Sequence, residues 1–197
     1  ISQTIVKTLA EGLINSSDVV KDRNGHIWIC THLGLYRYDH TNGVLDNFNP
    51  ENTEGFESPF MRFARPLDDG RVLVCSVIHT LGYLYPEQSK FEQLNTTIPE
   101  LNTYRTMITT CHMEERNKVG VFTQNGAFVL NTSTNKITPM EALAPVTQYS
   151  KKHNCVHRDR AGRIWIGTQN GLLLMKGDSI RRLTRSDGLT NTGVQTI

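Results

Sequence analysis

Asp22-Arg23-Asn24-Gly25-His26-Ile27-Trp28-Ile29-Cys30-Thr31-His32-Leu33-Gly34-Leu35 returns, without a gap, as Asp159-Arg160-Ala161-Gly162-Arg163-Ile164-Trp165-Ile166-Gly167-Thr168-Gln169-Asn170-Gly171-Leu172. Each copy reads as a tight Asp-x-x-Gly turn, a strand alternating around Ile-Trp-Ile, and a second turn ending in Gly-Leu. The copies lie 137 residues apart, and two weaker ones stand between them. Asp68-Asp69-Gly70 opens the second unit, which reaches its later glycine at Gly82 after an apparent three-residue insertion. Asn117 replaces the first glycine of the third unit, whose strand ends at Thr123-Gln124-Asn125-Gly126. Asparagine tolerates the left-handed backbone that such turns need. The anchors Gly25, Gly70, Asn117 and Gly162 are spaced 45, 47 and 45 residues apart, which makes the chain an array.

Each unit divides into four short strands. In the first they are Asp18–Lys21, His26–Thr31, Gly34–Asp39 and Val44–Phe48, the last pair joined by the hairpin signal Thr41-Asn42-Gly43. No stretch shows a long amphipathic pattern with caps, so helix is expected to be scarce. Four antiparallel strands every forty-odd residues predict an all-β chain of β-propeller blades. A lone four-stranded sheet cannot cover both of its faces, and stacking the blades does so. The units are set at about 14–58, 59–102, 103–150 and 151–190, one continuous partial array with part-strands at both ends. Glu11-Gly12-Leu13 resembles Asp187-Gly188-Leu189, and Val194–Ile197 reads as an orphan strand. The expectation is therefore an excerpt of a larger ring; a closed four-bladed ring is the alternative. Trp28 and Trp165 are expected to pack between blades, with Leu73 and Gly120 at the same place in the middle units.

The composition suits a folded domain: 38% hydrophobic residues and a formal charge of +2. No apolar run approaches the ~18 residues of a membrane span. Cys30 and Cys75 share one repeat position, and Cys111 and Cys155 fall on first strands, a placement of buried thiols rather than disulfides. His153, Cys155 and His157 alternate along a strand, so they would share a face, with His112 within possible reach. Burial of that face argues against a metal, and neither a metal nor a cofactor is expected. No nucleophile elbow, phosphate loop or zinc-protease motif is present. Asp22, Asp69 and Asp159 are explained by their turns. The basic bias from Lys151 to Arg185 could attract an anion, although it is broken by core residues and gives no case for nucleic acid.

The loops carry more. Turns between second and third strands, and connections between blades, emerge on one rim. There the sequence places amides, guanidinium groups and rings suited to a sugar. The ligand-binding residues chosen on that basis are Arg62, His79, Tyr104, Arg105, His153 and Gln169.

The repeated phrase, with Asp187-Gly188-Leu189-Thr190-Asn191, resembles the two-component regulator propeller repeat, strongly in the first and fourth units and weakly in the middle two. The resemblance implies the periplasmic sensor region of a Bacteroides-type hybrid two-component system. In that family, propellers of about seven blades precede a membrane helix and a histidine kinase. It implies detection of oligosaccharides from glycan breakdown, a homodimer in the intact sensor, and no catalysis by this segment. It transfers Trp28, Trp165 and the turn glycines as scaffold and names no ligand contact. The alternatives are a propeller lyase of the streptogramin-lyase type, which would need a base such as His153 with an acid beside it, and a protein-interaction propeller without a small ligand.

Overall fold

A computed structural model describes residues 16–76, 80–94, 108–115, 117–123, 126–177 and 179–197, with backbone alone at 108–115, 142 and 147. It holds sixteen strands in four separate antiparallel four-stranded sheets, each in simple up-and-down order. The first sheet is β1 (Asp18–Lys21), β2 (Ile27–Cys30), β3 (Leu35–Tyr38) and β4 (Leu45–Phe48). The second is β5 (Met61–Pro66), β6 (Val72–Ser76), β7 (Leu81–Tyr85) and β8 (Lys90–Gln93). The third is β9 (Ile108–Glu115), β10 (Lys118–Thr123), β11 (Gly126–Asn131) and β12 (Lys136–Pro139). The fourth is β13 (His153–Arg158), β14 (Ile164–Thr168), β15 (Gly171–Lys176) and β16 (Ser179–Leu183). These are β-propeller blades, and the short helix Val146–Tyr149 is the one α-helix among the described residues. The chain divides into two compact units, 1–95 and 96–197, each holding two blades.

In the first unit the Trp28 face of the first blade packs on the second. Trp28, Cys30, Leu35 and Phe48 form one core with Met61, Ala64, Val72, Val74 and Leu84. Trp28 is only 3% exposed, so its indole N–H needs an acceptor inside the fold. Asp22 supplies it: its Oδ2 accepts Trp28 Nε1 at 3.0 Å, while the carboxylate also accepts His26 N and Nδ1, each at 2.9 Å. Burial pushes the Asp22 carboxyl up, and the bonds from Trp28 and His26 outweigh that, holding it below its ordinary value. Asp159 repeats the clamp, accepting Trp165 Nε1 at 2.8 Å, Arg163 N at 3.0 Å and Arg163 Nε at 2.6 Å. The Trp165 bond first, and those from Arg163 and Ala161 after it, draw the Asp159 carboxyl far down. The acid of the repeat therefore does more than turn the chain; it anchors the ring six residues on.

The second blade revises two sequence alignments. The turn bond that Gly25 N gives to Asp22 O is given there by Gly70 N to Leu67 O, so Leu67, not Asp69, stands at the aspartate position. Leu67 and Leu73 thus replace the aspartate and the tryptophan together, since an apolar side chain has no N–H to satisfy. Asp69 instead accepts Arg71 Nη2 at 2.6 Å and Nε at 2.9 Å. Likewise Ser76 N bonds to Thr80 O as Thr31 N bonds to Gly34 O, so the turn is one residue longer rather than three, and Thr80 holds the glycine place. Gly82 lies within β7, where an added Cβ would sit 2.3 Å from Glu92 O and 2.4 Å from the Phe91 ring. Asn117 does adopt the left-handed backbone, at φ 65°.

Three ion pairs join the first two blades: Arg37 to Glu87 at 2.6 Å, Arg23 to Asp68 at 2.8 Å, and Arg65 to Asp18. Arg37 also lies over the rings of Trp28 and Phe48. In the second unit, Phe122 and Ala127 of the third blade pack with Ile166, Leu173 and Met175 of the fourth, and Leu143 and Val146 fill the core from the connection. Trp165 looks away from that core and is half-buried. Truncation of the two tryptophans should therefore differ: Trp28→Ala is expected to cost about 3–5 kcal/mol and Trp165→Ala clearly less. Asp22→Ala, which strands a buried indole N–H, should cost about 1–3 kcal/mol. Denaturant midpoints of the three variants against the parent check this.

Candidate functional site

One edge of each blade carries the turn between its second and third strands. A buried hydroxyl closes that turn. Thr31 Oγ1 donates to Gly34 O at 2.9 Å and accepts Leu33 N at 2.9 Å; Thr168 Oγ1 does the same with Gly171 O and Asn170 N, at 2.9 and 3.0 Å. Thr123 bonds to Gly126, and Ser76 Oγ accepts Thr80 N. The chain then enters the next blade beside this turn: Met61 N donates to Thr31 O at 2.8 Å, and Val194 N to Thr168 O at 2.9 Å. Turns and entries therefore share a rim, as expected from the sequence. Val194 takes the entry position, but residues 191–197 form no strand.

The first strands of the second and fourth blades start with a bulge. Met61 pairs with Ser76 and Phe63 with Cys75, leaving Arg62 as the extra residue; His153 pairs with Thr168 and Cys155 with Gly167, leaving Asn154. A bulge reverses the alternation of faces beyond it. His153 consequently faces the third blade, its ring edge-on to Phe122 at 6.0 Å, while Cys155 and His157 face the Trp165 side. This corrects the expectation that the three would share a face. Among the described residues no group of His, Cys, Asp or Glu is arranged to hold a metal. Cys30, Cys75 and Cys155 are free thiols, and burial raises Cys30 and Cys155.

Of the ligand-binding residues chosen from the sequence, His79, Tyr104 and Arg105 lie outside the described residues. Arg62 is half-buried at its bulge, and Gln169 is exposed on the rim. His153 is 2% exposed, in the core place that Met61 fills in the second blade, which corrects its assignment to the rim. Its bulk and slight polarity fit a knob packed on an aromatic ring. Asn154, its neighbour, spends its amide on Val194 O at 2.9 Å. A cleft of about 210 Å³, open space included, lies in the first unit between Phe56, Phe91, Met61 and Val74, with Ser58, Ser76, Thr80 and Glu57 at its polar side. At the rim of the fourth blade, Asn170 Nδ2 bonds to Tyr149 O and Arg182 Nε to Asn170 O. The sequence reading missed Arg182 as a rim residue because it lies on a fourth strand. The hairpin register, which sets it opposite Leu173 two residues past Gly171, was the available signal.

Among the described residues one histidine–carboxylate pair is in hydrogen-bond contact, Asp22 with His26, on the opposite edge. His26 stands where Arg163 stands beside Asp159, so the pair belongs to the turn clamp rather than to acid–base chemistry.

The two component regulator propeller family matches residues 153–170. The match lies in the fourth blade, over the entry strand, the Asp159 turn and the Ile164–Thr168 strand. A histidine kinase of Formosa agariphila is 29% identical over 149 residues, 72% of this chain and 11% of that protein. Two extracellular domains of hybrid two-component systems from B. thetaiotaomicron are similar in structure. One has 20% identity and a TM-score of 0.68, covering 91% of this chain and 24% of its own. The other has 21% identity and a TM-score of 0.63, covering 85% and 23%. Virginiamycin B lyase from Staphylococcus aureus, at 11% identity and a TM-score of 0.59 over 85% of this chain and 55% of its own, shares the fold as well. The chain spans about a tenth of the length of the kinase and about a quarter of the two domains. No helix among its described residues is long and apolar enough to cross a membrane.

Burial pushes His153 down to about 4, against an opposing bond with the Ser150 backbone. The ring is thus neutral when folded and takes up a proton on unfolding below pH 6.5. Its contribution favours the fold above pH 6.5 and is lost as pH falls toward 4, a change of about 3 kcal/mol at full effect. His153→Met should flatten the stability profile between pH 6.5 and 4, measured by urea unfolding at stepped pH.

Proposed function

We propose that this segment is part of the ligand-binding sensor of a two-component signalling protein, lying outside the cytoplasm, and that it detects oligosaccharides released by glycan breakdown. The observation that carries this reading is a division of labour between scaffold and rim. The repeated acids are spent on indole and turn N–H groups, and the repeated hydroxyls on the turns that they close. What differs between blades is the rim: His32-Leu33 in one, Gln169-Asn170 in another, with Arg62, Phe60 and Tyr149 on the entries. Fixed turns presenting variable amides, rings and guanidinium groups suit recognition of a polar ligand with apolar faces. The kinase relative and the extracellular two-component domains support the signalling role.

In the intact protein a membrane helix and a histidine kinase would lie outside this segment, and the sensor would act as a homodimer. A ligand can switch such a sensor only by binding one arrangement of it better than another. Isothermal calorimetry of the intact sensor against a broad panel of oligosaccharides is the test. Saturable heat with at least one of them, and none with the parent monosaccharides, is expected; a flat response across the whole panel would sink the proposal.

A further inference from the structure

The charges of this chain are unevenly placed. Residues 151–185 hold nine Lys and Arg against two Asp, in a chain with 21 and 19 overall. Elsewhere Arg23, Arg37, Arg65, Arg71 and Lys90 each meet a carboxylate. Within 151–185, Arg163 is taken by Asp159 and Arg181 approaches Asp187 at 3.6 Å. Lys151, Lys152 and Arg182, unlike the similarly exposed Arg160, Lys176 and Arg185, lie near one another on the rim. They are exposed, and none forms an ion pair with a described carboxylate. Hydrogen bonds bring Arg182 beside the connection that carries Lys151 and Lys152, on the rim of the fourth blade. Arg182 Nε donates to Asn170 O at 3.0 Å, and Asn170 Nδ2 to Tyr149 O at 3.2 Å. Ser150 follows Tyr149, and its Oγ both donates to Lys152 O at 2.9 Å and accepts Lys152 N at 3.2 Å. The Arg182 bond uses Nε alone, so the far edge of the guanidinium keeps its N–H donors.

We infer that this cluster is a subsite for the anionic group of an acidic oligosaccharide, a uronate carboxylate or a sulfate ester. The inference rests on the oligosaccharide reading above and narrows its ligand class. Three cations on one stretch of rim without a described counter-charge favour an anion, and a guanidinium anchored through its Nε can meet a carboxylate or sulfate in two bonds. Gln169 and Asn170, on the same turn, add amides of the kind that bind sugar hydroxyls. The repeat's own chemistry does not call for this cluster, because the first blade has Asp46 and Asn47 where the fourth has Arg181 and Arg182.

The test is calorimetry of the intact sensor with an oligogalacturonate, a sulfated oligosaccharide and a neutral oligosaccharide of equal length, at low and high salt. An acidic ligand should bind at least about tenfold tighter than the neutral one, and the margin should shrink with salt. Lys151→Gln combined with Lys152→Gln and Arg182→Gln should remove that margin, while Arg160→Gln, at the opposite edge, leaves it unchanged. The Lys151→Gln single variant, at an exposed side chain, gives the same direction if the triple variant does not fold. A margin that survives the triple variant, or falls equally with Arg160→Gln, overturns the subsite. So does inorganic sulfate competing at the concentration of the sulfated sugar. Neutral ligands binding as well as acidic ones overturn this inference alone; silence from every saccharide overturns the sensing proposal with it.

Discussion

In the first and fourth blades the bond from an indole N–H to an aspartate six residues earlier is the constraint on which the start of the blade depends. In the first blade Trp28 fills the gap to its neighbour, and its indole brings one donor that must not be left dry. Asp22 and Asp159 meet that donor while bonding the backbone N–H groups of their own turn. One carboxylate thereby fixes the turn, the start of the second strand and the rotamer of the ring. With the ring fixed in the first unit, Arg37 can lie over it and still reach Asp46 and Glu87, tying β4 and the turn between β7 and β8 to the same point.

The entry bulges have an equally local cause and wider consequences. Arg62 and Asn154 are single extra residues, yet each reverses which side of its blade the preceding residue faces. The reversal sends Met61 and His153 back toward the previous blade as core knobs. It also separates His153 from Cys155, so a pattern that alternates in sequence does not converge in space. Gly167, by lacking a side chain, leaves room for Cys155 Sγ and for Val194; an added Cβ would lie 2.4 Å from the sulfur.

The fold was legible because its signals are periodic and local. Gly25, Gly70, Asn117 and Gly162 mark turns that the backbone takes with positive φ at each of the four. The strand of Val119–Thr123 and that of Ser179–Leu183 were readable from alternation between such turns. The errors arose where a motif was matched by letter rather than by hydrogen bond. Asp69 looks like the repeat's acid and Gly82 like its later glycine, but the turn bonds put Leu67 and Thr80 in those places. The rim was legible as a set of loops, not as a set of neighbours: Gln169 and Lys152 belong to connections that sequence can assign, whereas Arg182 arrives from the fourth strand.

The sequence by itself determined the repeat, the strand order within each blade and the scaffold role of its aspartates, tryptophans and glycines. Those features depend on interactions a few residues apart, which a periodic pattern records. Only the tertiary structure decided which side chains face the core and which face the rim. A one-residue bulge inverts the facing of a strand without changing its composition, as at His153, and hydrogen bonds such as Arg182 to Asn170 join residues whose proximity depends on the packing of the strands between them.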